Sequence, residues 1–140
     1  MWNRNSSRSK YGNTKMTVDG ETYDSKREFL RYQFLKSLED RGIIKDLRRQ
    51  VRYELIPKIT HDEIVHLKTK DKIVTKTDQL PITYTSDFVY VITETGEERV
   101  EDVKINKNLL PKEFELKAKL FFWKYGKKIK LVFKPTDPIE

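Results

Sequence analysis

The sequence predicts an α/β fold: a mixed β-sheet flanked by helices, ordered α-β-β-β-α-β after a short N-terminal hairpin. Three observations predict it. Residues 82–92 and 98–104 alternate their side chains with period two on either side of a turn containing Gly96, which reads as two strands and a reversal. Residues 25–41 and 111–125 instead carry apolar side chains at helical spacing, and each run stops at a glycine. Finally, a strand, a crossover helix and a last strand come in that order, which normally makes a parallel pair and therefore a mixed sheet.

At 140 residues the chain suits one domain with a single modest core. The apolar and charged fractions are both 36%, which fits a compact domain with a large solvated or polyanion-facing surface. The net charge of +7 points to a polyanionic partner. Zero cysteines exclude disulfides, thiol nucleophiles and cysteine zinc sites. No apolar run reaches transmembrane length and no signal-peptide pattern is present, so a cytoplasmic protein with no membrane partner is expected.

Residues 1–14 carry Arg4, Arg8 and Lys10 among Asn, Ser and Gly without periodicity, and are read as a basic flexible arm. The single domain then runs over 15–134. Asp19-Gly20 between two short β-prone runs signals a hairpin. The first helix presents Phe29, Tyr32, Leu35 (with Phe34) and Leu38 as its core stripe, leaving Arg27, Arg31 and Lys36 on other faces. Ser25 followed by Glu28 forms a capping box, worth about 1 kcal/mol. A strand follows, with Leu47, Val51, Tyr53 and Leu55 as its apolar set. Arg48, Arg49 and Arg52, with Arg41 and Lys45, make the densest basic cluster of the chain. They serve either to protect an edge strand or to track phosphates, and a mixture is expected, with one or two arginines on DNA.

Residues 58–80 read as either a β-excursion or a short helix and loop between two core strands. His61 and His66, five apart, make a poor helical metal pair and are taken as surface residues. The second helix is expected to start at Pro111 and to pack through Phe114, Ala118, Phe121 and Tyr125, widened by Leu116, Leu120 and Trp123. A last strand spans 128–133, and 135–140 is expected to be a frayed tail.

The run from Ile82 to Lys104 carries the chemistry. Its alternation sets Ile82, Tyr84, Phe88, Tyr90 and Ile92 on one face and Asp87 with Val89 and Val91 on the other. The second strand sets Val100, Asp102 and Lys104 together. Pairing Glu94 with Glu97 places Asp87 opposite Lys104 and diagonal to Asp102, roughly 7 Å away. Two carboxylates at that separation can converge on one divalent cation beside an amine. A surface ion pair between Asp87 and Lys104 is the competing reading, set against a partly apolar face that such a trio would interrupt.

Ser86-Asp87 followed by Asp102-Val103-Lys104 resembles the PD-(D/E)XK nuclease signature, with Ser86 in place of the usual proline. The stretches SKYGNTKMTVDGETYDSKREFLRY, LEDRGIIKDLRRQVRYELIP, ITYTSDFVY and VEDVK are similar, in that order, to a small phage and prophage family grouped with the restriction-endonuclease-like fold. The resemblance spans about Ser9 to Phe133. It implies a Mg²⁺-dependent DNA endonuclease, with Mn²⁺ as a substitute. Asp87, Asp102, the backbone carbonyl of Val103 and Glu28 would hold the metal, and Lys104 would be the catalytic amine. Glu28 thus has two readings, as cap and as ligand.

Arg48, Arg49, Arg52, Arg31 and Lys45 are the expected DNA contacts. Small phage nucleases of this fold include Holliday-junction resolvases, so branched DNA and a homodimer are the implied substrate and assembly, with no nucleotide cofactor. A non-catalytic nucleic-acid-binding phage protein with a degenerate site is the alternative.

Overall fold

The computed structural model describes residues 15–139; the expected basic arm over 1–14 lies outside them. The N-terminal hairpin pairs β1 (Met16–Val18) with β2 (Glu21–Tyr23) across Asp19 and Gly20. Both turn residues have positive φ, 51° and 80°, as a two-residue turn matched to strand twist requires. Then follow α1 (Lys26–Asp40), β3 (Ile44–Ile56), β4 (Ile59–His66), β5 (Asp71–Gln79), β6 (Ile82–Ile92), β7 (Glu98–Val103), α2 (Lys112–Tyr125) and β8 (Lys130–Val132).

The central sheet has the order β3-β6-β7-β8. Its first two pairings are antiparallel, and the last, reached through α2, is parallel. Leu35 and Leu38 of α1 pack with Ile44, Phe88 and Tyr90 on one face. Phe114 and Phe121 of α2 pack with Leu55, Tyr84, Val89 and Val100 on the other. A mixed sheet flanked by two helices is the architecture expected from the sequence, consistent with the restriction-endonuclease-like fold. Residues 58–80 take the β-excursion alternative: β4 and β5 form their own two-stranded ribbon.

The β6–β7 register differs from the sequence reading by two residues. Val91 pairs with Glu98, Val89 with Val100 and Phe88 with Glu101. The loop is Thr93 to Gly96, closed by Ile92 N–H donating to Glu97 O at 2.9 Å, with Gly96 at φ 71°. A slip of two preserves side-chain faces, but it sets Asp87 across from Asp102 rather than Lys104.

The faces of β6 are also not those of a regular strand. Tyr84 meets Phe114 and Phe121 of α2, whereas Phe88 stacks on Tyr32 of α1. Residues four apart on a regular strand share a face. β3 does the same: Tyr53 packs on Phe121, while Arg49 lies over Tyr23 and Tyr32. Both strands turn over between the Val51–Ser86 and Arg49–Phe88 pairs, so pairing resumes in register across an interruption. Gln50, at φ 51°, and Asp87 occupy that interruption.

Arg31 is not on an outer face. It is fully buried, and its Nε and Nη2 donate to both oxygens of Glu101 at 2.9 and 2.7 Å. Tyr90 OH donates to the same carboxylate. Glu28, Arg31, Leu35 and Leu38 make the buried stripe of α1. Half of that stripe is charged, which is why an apolar pattern misplaces Arg31. The expected DNA contact at Arg31 is therefore corrected to a core ion pair.

Arg31 Nη1 also donates to the carbonyls of Pro135 and Asp137. Asp137 in turn caps Phe133 N and Lys134 N, both at 3.0 Å. The tail is docked rather than frayed. Trp123, expected in the core, is 78% exposed. It lies nine residues from Phe114, about 900° around the helix and so on the opposite side.

Replacing Arg31 with Met should cost about 3–5 kcal/mol, because Glu101 would remain buried without a cation. Urea denaturation measures this directly, and a midpoint equal to wild type would show that the pair contributes nothing to the fold.

Candidate metal centre

The sheet interruption and the start of α1 meet at one place. Ser25, extended at φ −154° and ψ 162°, caps α1 by accepting from Glu28 N at 3.2 Å. The Glu28 carboxylate does not return to Ser25 N as a regular capping box would. Its Oε2 accepts from Asp24 N at 3.2 Å and its Oε1 from Gln50 Nε2 at 3.0 Å. Glu28 therefore supports the helix start and faces the interruption as well. It is 2% exposed.

Asp87 lies where β6 and β7 part. β7 continues alongside β8 to the Val103–Val132 pair, while the β6–β7 pairing ends at Phe88–Glu101. Asp87 Oδ2 takes the place of a ladder acceptor, bonding Val103 N at 2.7 Å. Carboxylate oxygens of Asp24, Glu28 and Asp87 lie within 4.8 Å of one another.

Asp102 is buried beside them with both oxygens engaged. Oδ1 pairs with Lys104 Nζ at 2.8 Å, and Oδ2 accepts from Tyr84 OH at 2.6 Å. Lys104 Nζ sits 4.1 Å from the Phe114 ring centroid, so the amine is held between a carboxylate and an aromatic face. A groove of about 570 Å³ opens beside Val103 and Lys104, bordered by Ser25, Arg27, Ile105 and Leu109.

The electrostatics follow from crowding acids out of water. Burial pushes the Asp87 carboxyl up to about 8, with the charges of Asp102 and Glu28 adding to the effect. Burial and then Asp24 raise Glu28 as well. Two carboxyls that resist ionisation side by side mark a place that favours added positive charge. The donors are all oxygen, the set that suits a hard divalent cation. Three such oxygens, no more than 4.8 Å from one another, are within reach of a single ion of that kind.

Residues 8–136 match a family described as a protein of unknown function, DUF1064. The chain belongs to the DUF1064 family. No curated protein matches it, and no solved structure does.

Of the residues that the sequence singled out in this DUF1064 chain, Glu28, Asp87, Asp102, Val103 and Lys104 come together. Asp24 and Gln50 join them unanticipated. Asp24 carried a signal, being an acid beside a helix N-cap; Gln50 carried none, since its place depends on a left-handed φ at an interruption. Glu101, on the far face from Asp102, belongs to the Arg31 pair.

The basic cluster divides. Arg48 and Arg52 are exposed, as is Lys45, and Arg48 pairs with Glu98 at 3.1 Å. Arg49 turns inward, correcting its reading as an open DNA contact. Its guanidinium lies 3.8 Å from the Tyr23 ring centroid and bonds Glu21 at 2.7 Å and Thr22 O at 3.1 Å. That fastens the N-terminal hairpin to the sheet.

A carboxyl raised in the folded state holds its proton more tightly there than in the unfolded chain. Its stability contribution is thus full below about pH 4 and is lost as pH rises towards 8. In EDTA, Asp87→Asn should gain stability over wild type steadily across that interval, with the largest difference near pH 8. Thermal midpoints of both proteins from pH 4 to pH 8 measure it; a difference independent of pH would mean that Asp87 ionises normally.

Proposed function

We propose that this protein is a divalent-metal-dependent DNA endonuclease. The observation that carries the reading is the convergence of Asp87, Asp102, Lys104 and Glu28 at the sheet interruption, beside an open groove. Asp87, Asp102, Glu28 and the carbonyl of Val103 are the proposed ligands of Mg²⁺, for which Mn²⁺ substitutes, and Asp24 extends that set. Bound there, the cation supplies an activated water and neutralises charge on the phosphate.

The chain's own groups do the rest. Gln50 and the Asp24 amide hold the Glu28 carboxylate in one orientation, and Val103 N does the same for Asp87. Tyr84 fixes Oδ2 of Asp102, and Lys104 pairs with Oδ1. Lys104 then orients the attacking water and offsets the charge that builds on the phosphate as the 3′ oxygen leaves. Phe114 shields the amine from bulk water, which strengthens its interactions.

DNA is favoured as the substrate by the net charge of +7 and by the exposed Arg48, Arg52 and Lys45. Branched DNA and a homodimer with two active sites are the proposed substrate structure and assembly. No helix of the described residues is long and apolar enough to cross a membrane. The proposed setting is a phage or prophage protein acting in a bacterial cytoplasm.

Cleavage of matched four-way-junction, flap, single-stranded and linear duplex DNA with Mg²⁺ or Mn²⁺ tests this reading. Asp102→Ala should abolish cutting while leaving binding equal or tighter, since it removes negative charge. Cutting retained in that variant would remove Asp102 from the site. Binding without any cutting by wild type would leave a non-catalytic DNA-binding protein as the better reading.

A further inference from the structure

The β4–β5 ribbon is the largest feature with no part in the centre described above. Its strands pair from Ile59–Gln79 out to His66–Asp71, and none of its residues enters either core cluster. It leaves the body between the end of β3 and the start of β6. With eight residues in β4, at roughly 3.3 Å each, it extends about 26 Å. Asp87 lies about 17 Å along β6 from the ribbon's root. A lone two-stranded ribbon is marginally stable in water, so one that projects this far calls for a partner.

Charge is sorted along the ribbon. The acids are already engaged by ribbon neighbours: Asp62 by Thr75 at 2.7 Å, Glu63 by His61 and Lys76 at 2.8 Å, Asp71 by His66 at 2.8 Å and Asp78 by His61 at 2.7 Å. At the tip, Lys68, Lys70 and Lys72 are exposed, and none has a carboxylate partner among the described residues. The far end therefore carries three exposed lysines against one acid, Asp71, which leaves it net positive on a narrow support.

The middle of the ribbon carries one apolar cross-strand pair, Ile64 and Ile73, 64% and 69% exposed. Together they can bury no more than about 300 Å² of apolar surface, and the other exposed apolar side chains of the ribbon, Ile59 and Leu67, lie apart from them at its root and tip. The pairs on either side, Asp62–Thr75 and His66–Asp71, add no apolar surface. A two-stranded ribbon does fit the major groove of duplex DNA, about 12 Å wide.

We infer that the β4–β5 ribbon is an arm that grips duplex DNA flanking the metal centre, with Lys68, Lys70 and Lys72 on backbone phosphates. The inference rests on the proposed function in taking DNA as the partner. It does not require catalysis.

The test is fluorescence anisotropy of a labelled linear duplex and a four-way junction, in EDTA, over a series of salt concentrations. The triple variant Lys68→Ala, Lys70→Ala, Lys72→Ala should bind at least about tenfold more weakly near 100 mM salt. Its slope of log affinity against log salt should be shallower by about 2–3, near 0.9 for each phosphate that a lysine no longer neutralises. Replacing the same three residues with Arg should restore both, and the thermal midpoint should stay at the wild-type value because the tip packs on no other element among the described residues.

Wild-type affinity and slope in the alanine variant would overturn the inference. So would a wild-type protein that binds neither DNA. If Ile64→Asp converts a dimer to a monomer in sedimentation while the alanine variant binds normally, the ribbon serves a second copy instead. Because the readout is binding in EDTA, absence of metal-dependent cutting would sink the nuclease reading alone, and a silent ribbon would sink this one alone.

Discussion

The rest of the structure depends on the interruption at Gln50 and Asp87, the step at which β3 and β6 turn over together. A four-stranded sheet with a helix on each side has two apolar faces to fill, and strict alternation would keep each residue of β3 and β6 committed to one of them. Both strands instead turn over at the same step and resume pairing in register. On one side of that step Tyr53 and Tyr84 meet Phe121 of α2; on the other Arg49 and Phe88 meet Tyr32 of α1. The backbone bears a left-handed residue that is not glycine, a strain that persists where surrounding structure over-determines it. The interruption frees one carboxylate to lie at the seam between β6 and β7, where it bonds Val103 N.

Around that carboxylate the molecule works against its own stability. Asp87 is drawn out of water with the charges of Asp102 and Glu28 both acting on it, and burial raises Asp87 and Glu28 from their ordinary values. Structural sites seldom keep such a cluster, because each group could be replaced by an apolar one that is easier to bury. Glu101 behaves differently within the same fold. The neighbour of Asp102 on β7, it is equally buried but meets Arg31 in a two-point ion pair and a tyrosine hydroxyl. One carboxylate on β7 is fully neutralised and locks α1 and the tail to the sheet. The next is shared between Lys104 and Tyr84 at the open groove.

Positive charge is likewise divided by burial rather than by position in the chain. Of the basic residues clustered between Arg31 and Arg52, Arg31 and Arg49 serve the interior. Arg31 organises the tail, and Arg49 seats the N-terminal hairpin through a stacked tyrosine. Arg48, Arg52 and Lys45 face outward, and the ribbon adds a second basic surface at a distance from the sheet. On the proposed reading, a small domain thereby reaches more of a DNA duplex than its body alone would cover.

The sequence by itself determined the order of the core helices and strands, the mixed sheet with its parallel β7–β8 pair, and the Asp19-Gly20 turn, and left the β4–β5 segment open. It also brought Asp87, Asp102 and Lys104 forward as one candidate site, to which only the family resemblance added Glu28. These follow from period, capping and turn chemistry, which act over a few residues. The two-residue register error left that grouping intact because a slip of two keeps every side chain on its face. Tertiary structure alone decided what depended on more distant partners. Arg31 looks like a surface residue until Glu101, seventy residues later, arrives opposite it. Trp123 looks like core until the helix phase is fixed by Phe114 and Phe121 against the sheet. Gln50 enters the centre only through a reversal of faces that no local pattern encodes. Alternation in sequence states which residues share a face, and it loses that meaning at the one step where both strands turn over together.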